Sequence, residues 1–540
     1  MDEHSKKHLH LSQTASQWES IGVHHHHGIN IPLFSLHSNE SCGIGEFTDL
    51  IPLFPWCKEI GIDVIQLLPL NDTGPDASPY SAISAFALNP IHLGLLALPR
   101  VHECEGFAEI HEKLKACDIG LRVNYKEVRP LKYAFFREYY ERERDRVVNS
   151  KEYQQFIKRH TWLDGYALFK SLKVAQGWKS WFEWDPVLQH PTKEVVDALI
   201  AEYAGEVEFH VFLQYLCFQQ LSEVVAEAKK YHILLKGDIP ILISPESADV
   251  WLHPKTFRFE YTAGSPPDMY TPEGQNWGFP IYDWEYLKNH HYHWWKQRLK
   301  VCENFYEICR LDHIIGFFRI WAIPPGHSAT EGKFIPSDRN TWLDHGKEIM
   351  NMIVNSTTML PIGEDLGDVP RSVTQFLQEF GIPGTKVLRW ERIDGDENKD
   401  YLPFNEYPLV SMTTVSTHDS DTLQLWWQNS PREAEDFCKL FEWDYSPQLT
   451  PEQHYKILHA SHHTTSLFHI NLFQEYLSLF PDLKWEDPEV ERVNVPGVVS
   501  DTNWSIRYRP SVEAIVAHDG LKIALRHMIT HPLATPNLKS

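Results

Sequence analysis

Three carboxylates stand at the ends of apolar, strand-like runs. They are Asp312 in the run 306–317, Glu364 in 359–364 and Asp419 in 410–419. In Ile308-Cys-Arg-Leu-Asp312 the two-residue period of a strand puts Arg310 and Asp312 on one face. Two charges there are costly to bury unless they are paired or used. An isolated Arg-x-Asp reads as a structural ion pair; the recurrence of the acids along the chain suggests more. They are 52 and 55 residues apart, enough for a strand–helix unit with extra loops. In a parallel barrel all strands run the same way, so their C-terminal ends share one mouth. The three acids would meet there, tempered by Arg310, His313 and His418. Three acids in a neutral, aromatic-lined cleft suit glycosyl transfer through an oxocarbenium-like transition state. One attacks the anomeric carbon, a second protonates the leaving oxygen with its pKa raised, and the third grips sugar hydroxyls. The main rival is a metal site, but magnesium chemistry goes with phosphate substrates. The run 326–333 imitates a P-loop with one residue too many, and Phe334 stands where Ser or Thr belongs. No metal and no cofactor is expected.

The elements that would carry these residues follow strand–helix–strand grammar. Residues 29–36 alternate like a strand, a helix runs through Leu50, Leu53, Trp56, Cys57 and Ile60, and 64–70 is a buried parallel strand. Further strands are expected at 233–241, 306–317, 359–364, 385–389 and 410–419. The expected fold is therefore α/β: a (β/α)8 TIM barrel with large, mostly helical insertions. Residues 1–27 form an N-terminal extension ending in His24-His25-His26-His27. Neighbours in sequence cannot all ligate one ion from one face, so this run is expected to be a loop. Residues 28–93 open the barrel and 94–230 form a mostly helical inserted subdomain. The remainder, 231–540, completes the barrel and includes an active-site loop at 245–290 and a helical segment at about 431–483. Trp294 and Trp295 are expected in the core, and the histidines at 290, 291, 293, 462 and 463 on helices or the surface.

Composition narrows the partners. Fifty Lys and Arg against 73 Asp and Glu leave a formal charge of −23, which disfavours nucleic acid and anionic membrane. A neutral substrate fits, and 19 Trp with 22 Tyr could supply sugar-stacking faces. The 8 Cys have no C-x-x-C spacing and read as reduced, buried thiols. The first residues lack the apolar stretch of a signal peptide, and no apolar run approaches the roughly 18 residues of a membrane span. A cytoplasmic protein is expected.

The residues also carry a resemblance. Gln66-Leu-Leu-Pro-Leu70, Ser78-Pro-Tyr-Ser81, Ala85-Phe-Ala87, Gly237-Asp-Ile-Pro-Ile241 and Ser247-Ala-Asp-Val-Trp251 are followed in order by Pro266-Pro-Asp268, Gly274-Gln-Asn-Trp-Gly278 and Arg310-Leu-Asp-His313. Gly363-Glu-Asp-Leu-Gly367, Thr417-His-Asp419 and Asn494-Val-Pro-Gly497 complete the set. Together, from about residue 28 to 509, they resemble the 4-α-glucanotransferases called amylomaltase or disproportionating enzyme, glycoside hydrolase family 77 of the α-amylase clan. The resemblance implies transfer of α-1,4-glucan segments, maltooligosaccharides included, to glucose or another glucan. It implies Asp312 as nucleophile held by Arg310, Glu364 as acid/base, and Asp419 with His418 on the hydroxyls of the −1 sugar. It further implies Tyr80 and Asp238 at that subsite, and Gln275 and Trp277 in a loop over the donor. Asp365 would contact a neighbouring sugar, with His313, Asn494 and Pro496 also in the site. The chain departs from the family pattern at Met269-Tyr270, Ser420 and Leu425. An α-retaining hydrolase of the amylase type and a non-catalytic glucan-binding scaffold are the other readings. The oligomeric state is not legible.

Overall fold

The computed structural model describes residues 3–267, 271–393 and 400–532. Its twelve strands are β1 (His26–Ile31), β2 (Val64–Leu67), β3 (Leu234–Ile239), β4 (Phe257–Ser265), β5 (Gln275–Tyr282) and β6 (Ile308–Leu311), then β7 (Ile320–Ile323), β8 (Lys333–Ile335), β9 (Leu360–Gly363), β10 (Gly384–Val387), β11 (Ser411–Thr414) and β12 (Phe468–Leu472). Eight of them close a parallel barrel in the order β1-β2-β3-β6-β9-β10-β11-β12, with β1 paired to both β2 and β12. The register brings Asp238 opposite Arg310 and Leu311 opposite Gly363. The next residues along, Asp312 and Glu364, thus leave the sheet side by side.

The short buried strands β2, β6 and β9 show no exposed position, as expected where helices cover a parallel sheet. Between β2 and β3 lie the helices Phe107–Ala116, Tyr125–Val148, Lys151–Arg159, Leu163–Ala175, Lys193–Glu202 and Ala204–Lys230. Two of these are tied to the barrel loops by buried ammonium groups. Lys132 bonds Glu46 at 2.6 Å and the carbonyls of Ile91 and Leu93. Lys170 bonds Asp72, whose other partners are the Tyr166 hydroxyl at 2.6 Å and the Gly74 N–H at 3.0 Å.

Three sequence expectations change. The stretch from 245 to 290 is not mainly loop: β4 and β5 form an antiparallel hairpin that joins β7 and β8 in a four-stranded sheet. The Gly and Pro residues there mislead because Gly264 serves close strand pairing; a Cβ on it would meet the Gln275 carbonyl at 2.0 Å. The segment 431–483 is not wholly helical, since it contains β12, the eighth barrel strand. Its alternating Phe468, Ile470 and Leu472 were masked by His469 and Asn471, both buried and hydrogen-bonded. Finally, His26 and His27 do not lie in a loop but begin β1.

The extension before them is packed as well. Leu9, Trp18 and Ile21 join Val64, Ile308, Leu360, Met412, Phe468 and Ile470 in one apolar cluster. Trp18 donates its indole N–H to the Gly381 carbonyl at 2.8 Å, and the Gln17 amide donates to the carbonyls of Val354 and Thr357. The helix Ala15–Ile21 therefore plugs the N-terminal end of the barrel. Trp294 and Trp295 are core residues, as expected, and His290, His291 and His293 are exposed, but His462 is buried. Among the described residues no helix is long and apolar enough to cross a membrane, and all eight cysteines are free thiols.

Candidate active site

The cleft opens at the C-terminal ends of the barrel strands and has a volume of about 1370 Å³. That exceeds the usual range of about 300–1,000 Å³ for small-ligand pockets and suits an oligomer. Asp312 and Glu364 directly follow β6 and β9, while Asp419 follows β11 by a five-residue excursion.

Arg310 organises the first two. Its Nη2 lies 2.9 Å from Asp312 Oδ1 and 3.8 Å from Glu364 Oε2. Its Nη1 donates to both Asp238 oxygens, at 2.9 and 2.8 Å. The Arg310–Asp312 ion pair expected of an isolated motif does exist, but it faces the cleft. Despite burial, the surrounding carboxylates keep Arg310 charged, its pKa well above the usual value. The Tyr80 hydroxyl donates to Asp238 at 2.7 Å and lies 3.0 Å from His418 Nε2, with the two rings stacked at 5.5 Å.

Glu364 accepts the His313 backbone N–H at 2.8 Å and the Leu366 N–H at 3.3 Å. His313 reaches that position through a left-handed backbone, φ 43°, a conformation costing of order 1–3 kcal/mol in a non-glycine residue. Burial pushes Glu364 up to about 8; Arg310 opposes this and Asp312 adds to it. A carboxyl that keeps its proton at neutral pH can act as an acid. Asp419 differs. Its side chain is 44% exposed at the cleft, and although the surrounding protein desolvates it in part, His418 at 3.3 Å, the Asn494 amide at 2.7 Å and Arg310 bring Asp419 down to about 2. Burial brings the His313 imidazole down to about 4, so it is neutral at pH 7.

The site contains one acid poised to donate a proton, a carboxylate set against a guanidinium, and a third acid held ionised. Comparison with known proteins gives the family. A family model described as 4-alpha-glucanotransferase matches residues 31–513. The chain belongs to the 4-alpha-glucanotransferase family. It is 44% identical to the 4-alpha-glucanotransferase of Chlamydia pneumoniae over 509 residues, covering 94% of this chain and 96% of that one. It is 42% identical to that of Chlamydia muridarum over 510 residues, again covering 94% and 96%. Its fold matches the amylomaltase from Streptococcus agalactiae in complex with acarbose, with TM-score 0.78 and 23% identity, covering 94% of this chain and 99% of that one. The chain is accordingly an enzyme of the 4-alpha-glucanotransferase type.

Of the residues singled out in this glucanotransferase sequence, Tyr80, Gln275, Trp277, Arg310, Asp312, His313, Glu364, His418, Asp419, Asn494 and Pro496 all line the cleft. Gln275 accepts the Trp277 indole N–H at 3.0 Å, and the Trp277 ring meets His313 edge-on at 5.0 Å. Asp238 lies behind Arg310 and Tyr80 and does not line the cleft. Asp365, expected to contact a neighbouring sugar, does not line the cleft either. It turns away beneath the rim, accepting the Thr385 N–H at 2.6 Å with Lys386 Nζ at 3.7 Å. It fits there because Gly384 has no Cβ, which would meet Asp365 Oδ2 at 2.4 Å. Ser420 lines the cleft, whereas Leu425 is buried on the helix Leu423–Asn429. Asp268, Met269 and Tyr270 fall outside the described residues.

Sequence reasoning missed several contributors. Trp504 packs its ring 5.4 Å from Tyr80 and 5.8 Å from His418. Arg492 pairs with Asp421 and donates to the Asn494 carbonyl at 3.0 Å, holding the amide that binds Asp419. At the cleft floor Gln66 accepts from the buried Lys236 at 2.9 Å; burial and the Arg310 charge bring that lysine down to about 7. A lysine inside the apolar run 233–241 was the available signal for the last.

Proposed function

We propose that this enzyme moves α-1,4-glucan segments from a donor to the 4-hydroxyl of glucose or of another glucan by a retaining double displacement. Glu364 protonates the glycosidic oxygen while an Asp312 oxygen attacks the anomeric carbon, forming a covalent glucosyl-enzyme. Glu364, now a carboxylate, takes the proton of the acceptor 4-hydroxyl, which attacks the same carbon and releases Asp312. Asp419 and His418 hold hydroxyls of the −1 sugar, Tyr80 flanks its ring, and Arg310 keeps Asp312 aimed. Asp238 holds Arg310 and Tyr80, and Asp365 acts as a support for the strand ends. Gln275 and Trp277 cover the donor side, with Pro496 on the opposite rim.

The observation that supports the reading is the single Arg310 nitrogen 2.9 Å from Asp312 and 3.8 Å from Glu364, a spacing that suits two carboxyl groups acting on one bond. The cleft's size favours maltooligosaccharides, and free, mostly buried thiols fit a reducing compartment such as the cytoplasm. Incubation with maltotriose, with products resolved by length over time, tests the proposal. A ladder of longer chains is expected, together with a loss of about a thousandfold or more in Asp312→Asn. Products that only shorten would identify a hydrolase, and an Asp312→Asn protein indistinguishable from the parent would identify a binding scaffold.

A further inference from the structure

At the end of the barrel remote from the cleft, the four consecutive histidines divide into two pairs. Alternate residues of an extended segment share a side. His25 and His27 turn toward His469, at ring distances of 5.5 and 5.0 Å. His24 and His26 turn toward each other, at 4.0 Å, and toward Asp63 in the approach to β2. Asp63 Oδ2 lies 3.2 Å from His24 Nε2 and 2.7 Å from His26 Nδ1. Its other oxygen accepts the His27 N–H at 2.9 Å, and its own N–H donates to the His27 carbonyl, so the carboxylate is held from both strands.

The environment of His26 makes this more than a surface cluster. Its Nε2 is 3.0 Å from the Gly22 carbonyl, which can only accept, so Nε2 carries a proton. Nδ1, 2.7 Å from Asp63 Oδ2, is then the His26 nitrogen available to share a cation with the carboxylate. Metal-bound histidines are held in this way, with the outer nitrogen donating to a carbonyl and the inner one on the ion. A proton on Nδ1 would satisfy His26 and Asp63, with His24 Nε2, 3.2 Å from the same oxygen, donating to it; an ion in place of that proton engages all three groups at once. Among the described residues this is the one group in which three His, Cys, Asp or Glu ligand atoms lie within 4.8 Å of one another.

We infer that His24, His26 and Asp63 bind a divalent transition-metal ion of the zinc type, with water as the fourth ligand. Two nitrogens and a carboxylate are a donor set suited to zinc. Ligand atoms on a tetrahedral ion with bonds of about 2.0–2.1 Å stand about 3.3 Å apart. His24 is already at that separation from Asp63, and the His26–Asp63 contact opens by about half an ångström on binding an ion of that size. His24, 57% exposed, can follow. The ion would clip the start of β1 to the approach of β2 and anchor the link from Gly22 that leads to the N-terminal plug. It would take no part in the cleft chemistry.

The test uses tag-free, chelator-stripped full-length protein titrated with Zn²⁺ alone by calorimetry, with bound zinc counted after dialysis and melting followed with and without the ion. One zinc per chain is expected, with Tm raised by a few degrees at roughly a hundredfold excess over Kd. His24→Ala, at an exposed position, should melt like the parent without zinc but lose tenfold or more in affinity together with the zinc-dependent rise. Asp63→Asn, which keeps the oxygen that accepts from His27, should lose both as well. No zinc uptake by the parent would overturn the site in favour of a simple imidazolium–carboxylate pair. Unchanged stoichiometry and affinity in His24→Ala would overturn it by assigning the ion to other histidines.

Discussion

Glu364 stands between opposing demands: its two backbone N–H partners and Arg310 favour the charged form, while burial and the neighbouring Asp312 favour the neutral one. Burial prevails and holds the group at about 8, so Glu364 is protonated at neutral pH, as the proposed first step requires. Activity should therefore fall as pH rises through about 8, read as the alkaline limb of kcat/KM, and Glu364→Gln should lose about 10²–10⁴-fold with that limb abolished. A parent profile flat between pH 6 and 9 would remove Glu364 from the acid role. The sign for stability runs the same way. A carboxyl whose folded pKa is raised from 4.5 to about 8 favours folding below the unfolded value, and that contribution is lost as pH rises through 8. The residue types and order of Arg310, Asp312, Glu364 and Asp419 were legible because unpaired charges at apolar strand ends are conspicuous. The outward turn of Asp365 was not, because it depends on Gly384 of the neighbouring strand leaving room.

At the scale of elements, two attachments govern the cleft. The loop between β2 and the helical insertion carries Tyr80 and is pinned where Asp72 meets Lys170 and Tyr166. Both charges are buried, 2% and 0% exposed, so removing one strands the other. Lys170→Met should cost about 3–5 kcal/mol in urea unfolding, and Lys170→Met with Asp72→Asn should recover part of it. A double variant no more stable than the single one would show the two not to be coupled. The β4–β5 hairpin brings Trp277 over His313 and is the element that would exclude water from the proposed covalent intermediate. Trp277→Ala should raise glucose release by hydrolysis relative to disproportionation of maltotriose; an unchanged ratio would dismiss the hairpin as a lid. Strand pairing here was hidden in the sequence because Gly264 and Pro280 are loop formers by local preference. Tertiary pairing with β7 overrides that preference.

For the whole molecule, the closed barrel makes the far end structurally as important as the mouth. Trp18 is fully buried there, its ring 5.5 Å from Phe468. Trp18→Ala should destabilise the protein by about 3–5 kcal/mol, measured by chemical denaturation, while leaving KM for maltotriose unchanged. A rise in KM comparable to the stability loss would mean that the plug communicates with the cleft.

Strand periodicity and carboxylates at strand ends pointed to the class of fold and suggested a chemistry, and the ordered motifs from Gln66 to Gly497 carried the family resemblance, since such signals are local and survive in one dimension. Only the closed tertiary structure decided which acids share Arg310, that the 257–282 stretch is sheet, that β12 completes the barrel, and that the first helices seal its base. Each of these depends on partners tens to hundreds of residues away, and burial against such partners sets both the protonation of Glu364 and the alignment of Asp312.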